Sequence, residues 1–160
     1  MQYPIRACIS RSALRHNIML LRKLSRPAAV CAMVKGDAYG HGARLAVRVL
    51  QPHVQAWGVA FIPEAEELRA CRARGPIIVF CPLDDYFQRG GRKEALDAVI
   101  DLRLTSVIVG LSGLRMLARH AQRRRRKVDV QIKVDTGMGR NGCPPADLLP
   151  LLQSAAALPS

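Results

Sequence analysis

Short apolar runs alternate along this chain with stretches in which apolar residues recur every three or four positions. The short runs predict buried strands, and the longer spacing predicts amphipathic helices. The predicted strands lie over residues 5–9, 30–34, 57–61, 77–80, 105–109 and 128–134. The predicted helices lie over residues 12–25, 43–51, 63–75, 91–101, 111–118 and 146–157. This alternation with short connections is typical of a sheet of parallel strands joined by right-handed crossovers.

The predicted fold class is therefore α/β, and two architectures remain open. Five barrel-type strands fit between residues 30 and 134, whereas a complete (β/α)₈ (TIM) barrel needs eight strands and about 250 residues. The chain is either an open doubly wound domain or a partial barrel whose remaining strands are absent. The terminal letters AAALPS carry no helix stop or tail signature, which favours a truncated barrel.

Composition narrows the class of protein. The chain has 160 residues, 49% apolar and 23% charged, which is typical of a folded globular domain. We expect no membrane partner and a cytoplasmic location, because no apolar run has the length of a membrane span or a signal peptide. The cysteines, at positions 8, 31, 71, 81 and 143, show neither CxxC nor zinc spacing. We therefore expect reduced thiols and no metal site.

The formal charge of +13 raises nucleic acid as a partner. The arginines are nevertheless spread along the chain, and the one dense run is Arg123–Lys127. That run lies between an apolar helix pattern and an apolar strand pattern, where positive charge suits the C-terminal end of a helix. We therefore expect a solvated helix end and no nucleic-acid partner. Salt-dependent binding to DNA of mixed sequence would contradict this interpretation.

Lys35 is the first candidate for chemistry, within the letters VKGDAYGHG. It directly follows the predicted strand 30–34, and functional groups of parallel α/β folds gather at the C-terminal ends of strands. A lysine there can form a Schiff base with an aldehyde cofactor if its amine is partly deprotonated. Tyr39 follows shortly after Lys35 in the sequence and could donate a hydrogen bond to a phosphate group of such a cofactor. The alternative interpretation is a surface lysine on a turn.

The second candidate segment is Lys133–Gly142, KVDTGMGRNG. It follows the predicted strand 128–134, so its polar groups should face the same end of the sheet as Lys35. The alternative is a plain connecting loop with helix-capping residues. The letters GMGRNG also match the dinucleotide-binding spacing, but Pro144 and Pro145 place the next helix beyond the glycines. The triplet DTG matches aspartic proteases, whose fold is mostly β, so we set both matches aside.

Taken together, these segments resemble alanine racemases, which are fold-type III pyridoxal-phosphate enzymes. VKGDAYGHG is similar to the family pattern V-K-A-N-A-Y-G-H-G and departs from it at Gly36 and Asp37. KVDTGMGRNG matches the second family pattern, K-x-D-T-G-M-x-R-x-G, completely. The letters RSALRHNI, WGVAFIPEAEEL and PIIVF resemble further family segments in the same order. The resemblance covers almost all of residues 1–160.

The resemblance implies a role for each matching residue. Lys35 would carry pyridoxal 5'-phosphate covalently and act as one of two catalytic bases. Tyr39 would contact the cofactor phosphate, and Phe80 would pack on the cofactor ring. Arg140 would lie near the phenolic oxygen of the cofactor and the substrate carboxylate. Lys133 matches a lysine that is carbamylated in some members of the family, where it orients this arginine.

The implied reaction is the interconversion of L-alanine and D-alanine, which supplies D-alanine for peptidoglycan, in a homodimer. The family's second base is a tyrosine from the C-terminal β-domain of the partner subunit. That domain and the later barrel strands have no counterpart in these residues, so we expect an N-terminal part that is inactive alone. Two alternatives stay open. One is another fold-type III racemase, for serine or for many amino acids, and the other is a non-catalytic pyridoxal-phosphate-binding barrel protein.

Overall fold

The computed structural model describes residues 6–88 and 92–158. The strands are β1 (Cys31–Met33), β2 (Ala56–Val59), β3 (Ile77–Val79), β4 (Leu104–Ile108) and β5 (Val130–Ile132). The helices are α1 (Arg11–Leu24), α2 (Lys35–Tyr39), α3 (Ala43–Leu50), α4 (Ile62–Ala70), α5 (Leu83–Gln88), α6 (Arg92–Asp101), α7 (Leu111–Arg124) and α8 (Leu148–Ala156). A short 3₁₀ turn, Pro145–Asp147, precedes α8.

The sheet contains five strands in the order β1-β2-β3-β4-β5, and every neighbouring pair is parallel. Right-handed crossovers between successive neighbours place all connecting helices on one face of the sheet. A doubly wound sheet instead reverses its strand order at a switch point, and the described strands show no such reversal. The α/β prediction is confirmed, and the order is that of a barrel.

The core lies between this face and the helices. Four strands each contribute one residue to a row that runs across the sheet: Ala32, Trp57, Ile77 and Leu104. Each of these residues is at most 8% exposed. Trp57 also needs a partner for its indole N–H, and it donates to the carbonyl of Arg74 at 2.9 Å. Fully burying a side chain of this size contributes about 1.5–3 kcal/mol. This row therefore anchors the sheet to its helices.

Three local predictions were wrong. Residues 6–9 form no strand, and residue 5 lies outside the described residues. Ser10, rather than Ser12, caps α1, because its hydroxyl accepts the N–H of Ala13 at 3.2 Å. Helix α4 ends at Ala70 rather than near residue 75, because Arg72 adopts a left-handed backbone with φ of +63°.

The basic run at Arg123–Lys127 lies where it was predicted. Helix α7 ends at Arg124, and Arg125 adopts a left-handed conformation at the helix C-terminus. Arg124 pairs with Asp97 at 2.6 Å and with Asp101 at 2.7 Å, which ties α7 to α6. Across residues 6–88 and 92–158, we find no helix with the length and apolarity of a membrane span.

Candidate active site

The C-terminal ends of the parallel strands lie together at one edge of the sheet, as predicted. Lys35 follows β1, Phe80 follows β3 and Lys133 follows β5. Strands β1 and β5 are the outermost of the five described strands, so four steps of about 4.8 Å separate them along a flat sheet. In the strand order, Lys35 therefore lies at one side of this edge, Phe80 in the middle and Lys133 at the other side.

The chain after β1 forms a turn of left-handed helix, which the sequence predicted only as a glycine-rich loop. Gly36, Asp37 and Ala38 have φ between 51° and 60° and ψ between 45° and 50°, and Tyr39 has φ of 56°. The N–H of Gly40 donates to the carbonyl of Gly36 at 3.0 Å. Each residue with a Cβ costs roughly 1–2 kcal/mol in this conformation, and glycine avoids that cost. A glycine at position 36 therefore suits this turn.

Side chains hold this turn in place. Asp37 Oδ1 accepts the N–H of Ala43 at 2.6 Å, which caps α3 where Gly42 has no side chain to do so. Glu64 Oε1 accepts the N–H of Gly36 at 2.7 Å. A carboxylate at position 37 and an amide there both supply an oxygen acceptor. The departures at Gly36 and Asp37 from the family pattern are therefore compatible with this local structure.

Lys35 stands at the start of the left-handed turn and is half-buried. Its Nζ lies 5.9 Å from the centre of the Tyr39 ring, and Tyr39 is 61% exposed. Among residues 6–88 and 92–158, no hydrogen bond or ion pair engages the Lys35 amine. An amine without such a partner is accessible to an aldehyde, and the exposed phenol beside it can donate to an anion.

The loop after β5 closes on itself. Asp135 N donates to Cys143 O at 2.9 Å, and Cys143 N donates to Lys133 O at 2.8 Å. Inside the loop, Asp135 Oδ1 accepts the N–H groups of Gly139 at 3.1 Å and Gly137 at 3.0 Å. These two bonds, the one from Gly139 foremost, lower the pKa of Asp135 below its ordinary value. No helix opens among these glycines, so the dinucleotide-binding match is not realised.

Asn141 joins this loop to the end of β3. Lys133 Nζ donates to the backbone oxygen of Asn141 at 2.5 Å, and Asn141 Nδ2 donates to the backbone oxygen of Phe80 at 3.4 Å. These bonds bring Lys133 and Phe80 into one group. Arg140 lies at the exposed side of the same loop, and no acidic partner engages it within the described part of the chain.

The side chains of Met33 and Phe80 both reach the space over Gly58 of β2. A Cβ added at Gly58 would overlap Met33 Sδ and would lie 3.1 Å from Phe80 Cε2. Gly58 pairs with Met33 across β1 and with Ile78 across β3. The absence of a side chain at position 58 therefore leaves room beneath the strand ends for side chains from both neighbouring strand ends.

Sequence reasoning missed two residues of this site. Glu64 lies within the letters WGVAFIPEAEEL and received no role in the site, although a glutamate three positions into a helix often reaches back to free N–H groups. Asn141 stood inside the second motif without a role. Its hydrogen bond to Phe80 joins residues 61 positions apart in the sequence, and no local sequence pattern predicts a contact over such a separation.

The donor set fits a phosphorylated aldehyde. A lysine amine, a phenol, an aromatic ring and a guanidinium lie along one edge of a parallel sheet. Guanidinium groups bind carboxylates and phenolates well because they stay charged and offer several donors. No group of three His, Cys, Asp or Glu side chains in residues 6–88 and 92–158 is placed to hold a metal ion. Fold and site together define a barrel-type α/β chain with a lysine after its first strand whose amine makes no hydrogen bond within the described residues.

Comparison with known proteins gives the family. Residues 9–160 match the family described as "Alanine racemase, N-terminal domain", and the chain belongs to that family. It is 38% identical to the alanine racemase of Xanthomonas campestris pv. campestris over 144 residues, 90% of this chain and 37% of the relative. It is 35% identical to the alanine racemase of Treponema pallidum, covering 96% of this chain and 39% of that protein.

Solved structures agree with this assignment. Alanine racemase from a D-cycloserine-producing Streptomyces lavendulae superposes with a TM-score of 0.80 at 33% identity. That of Clostridium difficile 630 superposes with a TM-score of 0.81 at 26% identity. Both alignments cover 92% of this chain and 37% of the other chain. The 160 residues thus span less than two fifths of the length of these relatives.

Proposed function

We propose that this chain forms the lysine-bearing part of a pyridoxal-phosphate-dependent racemase that interconverts L-alanine and D-alanine. The observation that carries the proposal is the position of Lys35. It opens a left-handed turn directly after the first barrel strand, with an amine that makes no hydrogen bond in the described residues. The two relatives compared above, each named alanine racemase, support alanine as the substrate.

Each residue of the site would perform one task. Lys35 would hold the cofactor and move the proton at the substrate Cα on one face. Tyr39 would donate its phenolic O–H to the cofactor phosphate, and the ring of Phe80 would pack on the cofactor ring. Arg140 would hold the substrate carboxylate by charge and hydrogen bonds. Pyridoxal phosphate, when bound, supplies the electron sink that makes the Cα proton removable.

Lys133 would position Arg140. Its Nζ already contacts the loop that carries Arg140, through the backbone oxygen of Asn141. Carbamylation would turn this amine into an anion, and an anion attracts a nearby guanidinium more strongly than a neutral oxygen does. We propose this modification as the state that orients Arg140 toward the substrate. Mass spectrometry of the intact protein under carbon dioxide, with Lys133→Arg as the control, would detect the added carboxyl group.

Racemisation needs a second base on the opposite face of the substrate, and no residue of this site supplies one. We propose that this base and most phosphate ligands belong to regions that these 160 residues do not include. We also propose that the whole protein is a cytoplasmic homodimer and that it supplies D-alanine for peptidoglycan. The 160 residues alone would bind the cofactor weakly and would not racemise alanine. Measured conversion of L-alanine to D-alanine by these residues alone would contradict this division of the site.

Borohydride reduction tests the role of Lys35 directly. The protein that carries the complete site is incubated with pyridoxal phosphate, the lysine–cofactor linkage is reduced, and peptide mapping locates the label. We expect the label on Lys35 and its loss in Lys35→Ala. Lys23→Ala removes an exposed lysine from α1 and should leave labelling of Lys35 unchanged. Labelling spread evenly over all lysines would refute the proposal.

A substrate assay separates the alternative functions. D-amino acid formation is followed with L-alanine and L-serine, using the protein that carries the complete site. Preference for alanine supports the proposal. Faster turnover of serine would indicate another fold-type III racemase. Labelling of Lys35 without turnover of either amino acid would indicate a non-catalytic pyridoxal-phosphate-binding barrel.

A further inference from the structure

The carboxylate of Glu64 accepts backbone N–H groups from two separate segments of the site. Oε1 accepts from Gly36 at 2.7 Å. Oε2 accepts from Ala60 at 2.7 Å and from Phe61 at 3.0 Å. Gly36 belongs to the left-handed turn after β1, whereas Ala60 and Phe61 join β2 to α4. One side chain therefore ties together the chain at the ends of two neighbouring strands.

Only a carboxylate satisfies all three donors. Its two oxygens accept several hydrogen bonds at once, and bonds to a charged acceptor are shorter and stronger than neutral ones. An amide at this position has one oxygen, and its NH₂ group would face a backbone N–H that also donates. Replacement of Glu64 by Gln would therefore leave at least one of the three N–H groups without an acceptor.

The bond to Gly36 matters because of the conformation that it holds. Asp37, Ala38 and Tyr39 carry side chains at φ between 51° and 56°, a conformation that the surrounding structure must stabilise. The Gly36 N–H belongs to the peptide unit that Lys35 begins. Holding this N–H therefore restrains the peptide plane that follows the Lys35 Cα, and with it the direction in which the Cα–Cβ bond of Lys35 leaves the backbone.

We infer that Glu64 is a positioning residue for the cofactor lysine. Its carboxylate holds the Lys35–Gly36 peptide against the junction of β2 and α4, and the Lys35 amine is thereby directed to the cofactor position. The inference rests on the proposed function. It assigns to Glu64 an effect on Lys35 beyond the capping of α4.

The test compares Glu64→Gln with Glu66→Gln. Glu66 lies on the same helix, is exposed and makes no hydrogen bond in the described residues, so its variant is matched in charge. Two measurements are made in each variant: hydrogen exchange of the Gly36 amide without cofactor, and the rate of borohydride-fixed labelling of Lys35 relative to the other lysines. Far-UV circular dichroism checks that each variant is folded.

We expect Glu64→Gln to accelerate exchange at Gly36 and to slow relative labelling of Lys35, each by roughly tenfold, which corresponds to about 1.4 kcal/mol. Glu66→Gln should match the wild type in both. A general loosening of the fold would instead change all lysines together. If Glu64→Gln does not fold, Glu64→Asp replaces it, because it keeps the charge but shortens the side chain, and the same losses are expected.

The outcomes separate the two proposals. Wild-type protein in which Lys35 is not labelled selectively would overturn the proposed function, and the role of Glu64 with it. Selective labelling in the wild type, with an equal rate in a folded Glu64 variant, would overturn the role of Glu64 alone. Faster exchange at Gly36 with unchanged labelling of Lys35 would reduce Glu64 to a capping residue and would likewise overturn the inference.

Discussion

Replacement of Gly58 by alanine probes the packing beneath the strand ends. The new Cβ would overlap Met33 Sδ, and it would lie 3.1 Å from Phe80 Cε2 and 3.2 Å from Met33 Cε. Met33 is 38% exposed, so its flexible side chain has room to move toward solvent. The Phe80 ring has less freedom, because it is rigid and turns about two side-chain torsions, whereas methionine has three rotatable bonds. The strain should therefore be relieved mainly at Met33.

The expected cost follows from this geometry. Overpacking a filled site costs typically about 1–3 kcal/mol, and a movable methionine places Gly58→Ala near the lower limit. Alanine in a strand regains roughly 0.5 kcal/mol relative to glycine. We expect a net loss of about 0.5 kcal/mol in the free energy of unfolding, or about 1–2 °C in Tm for a chain of this size.

Trp57 provides the assay. It is the single tryptophan of the chain, it is 0% exposed, and it precedes Gly58 on β2. Urea unfolding followed by its fluorescence is measured for the wild type, for Gly58→Ala, for Met33→Ala and for the double variant. Met33→Ala removes the overlapping sulfur, so Gly58→Ala should cost almost nothing in that background. Unchanged stability of Gly58→Ala, or a coupling below about 0.3 kcal/mol in the cycle, would refute the close packing of Met33 over Gly58.

Three further predictions concern residues outside the five strands. Gly142→Ala should cost about 2–3 kcal/mol in urea unfolding, because φ is +135° and the added Cβ would lie 2.8 Å from the backbone carbon of Val134; wild-type stability would contradict it. The folded pKa of Asp135 lies below its ordinary value of 3.8, so the stability that its charge contributes is present above that pH and is lost as pH falls through the folded pKa. The stability difference between wild type and Asp135→Asn, from unfolding curves at several pH values, should therefore shrink on acidification, and a constant difference would show that the carboxylate has no such role. Arg69 donates to four backbone carbonyls, so Arg69→Lys should lower the free energy of unfolding by about 2 kcal/mol. Arg72 is exposed, so Arg72→Lys should leave it unchanged. Equal effects of the two substitutions in urea unfolding would contradict a stabilising role for the hydrogen bonds of Arg69.

Much of the fold follows from apolar periodicity. The strands from β1 to β5 lie within one or two residues of the predicted runs, because a strand buried against helices must be apolar over several consecutive positions. The parallel arrangement followed from the alternation with helices, and it placed Lys35 and Lys133 at one end of the sheet. Residues 5–9 show the limit of this reasoning. The described part of this run, residues 6–9, pairs with no strand. A strand needs such a partner for its backbone N–H and C=O groups.

The sequence by itself determined that Lys35 follows a buried strand and that the Lys133–Gly142 segment follows a later one. Only the tertiary structure decided how those strand ends are held. Glycines at positions 36 and 40 can adopt a left-handed conformation, but glycine adopts other conformations equally well. The turn is stabilised by the carboxylates of Asp37 and Glu64, the latter from 28 positions away. The local periodicity of apolar residues predicts which side chains are buried. A hydrogen bond between distant loops, by contrast, forms only after the sheet has aligned the strands that carry them.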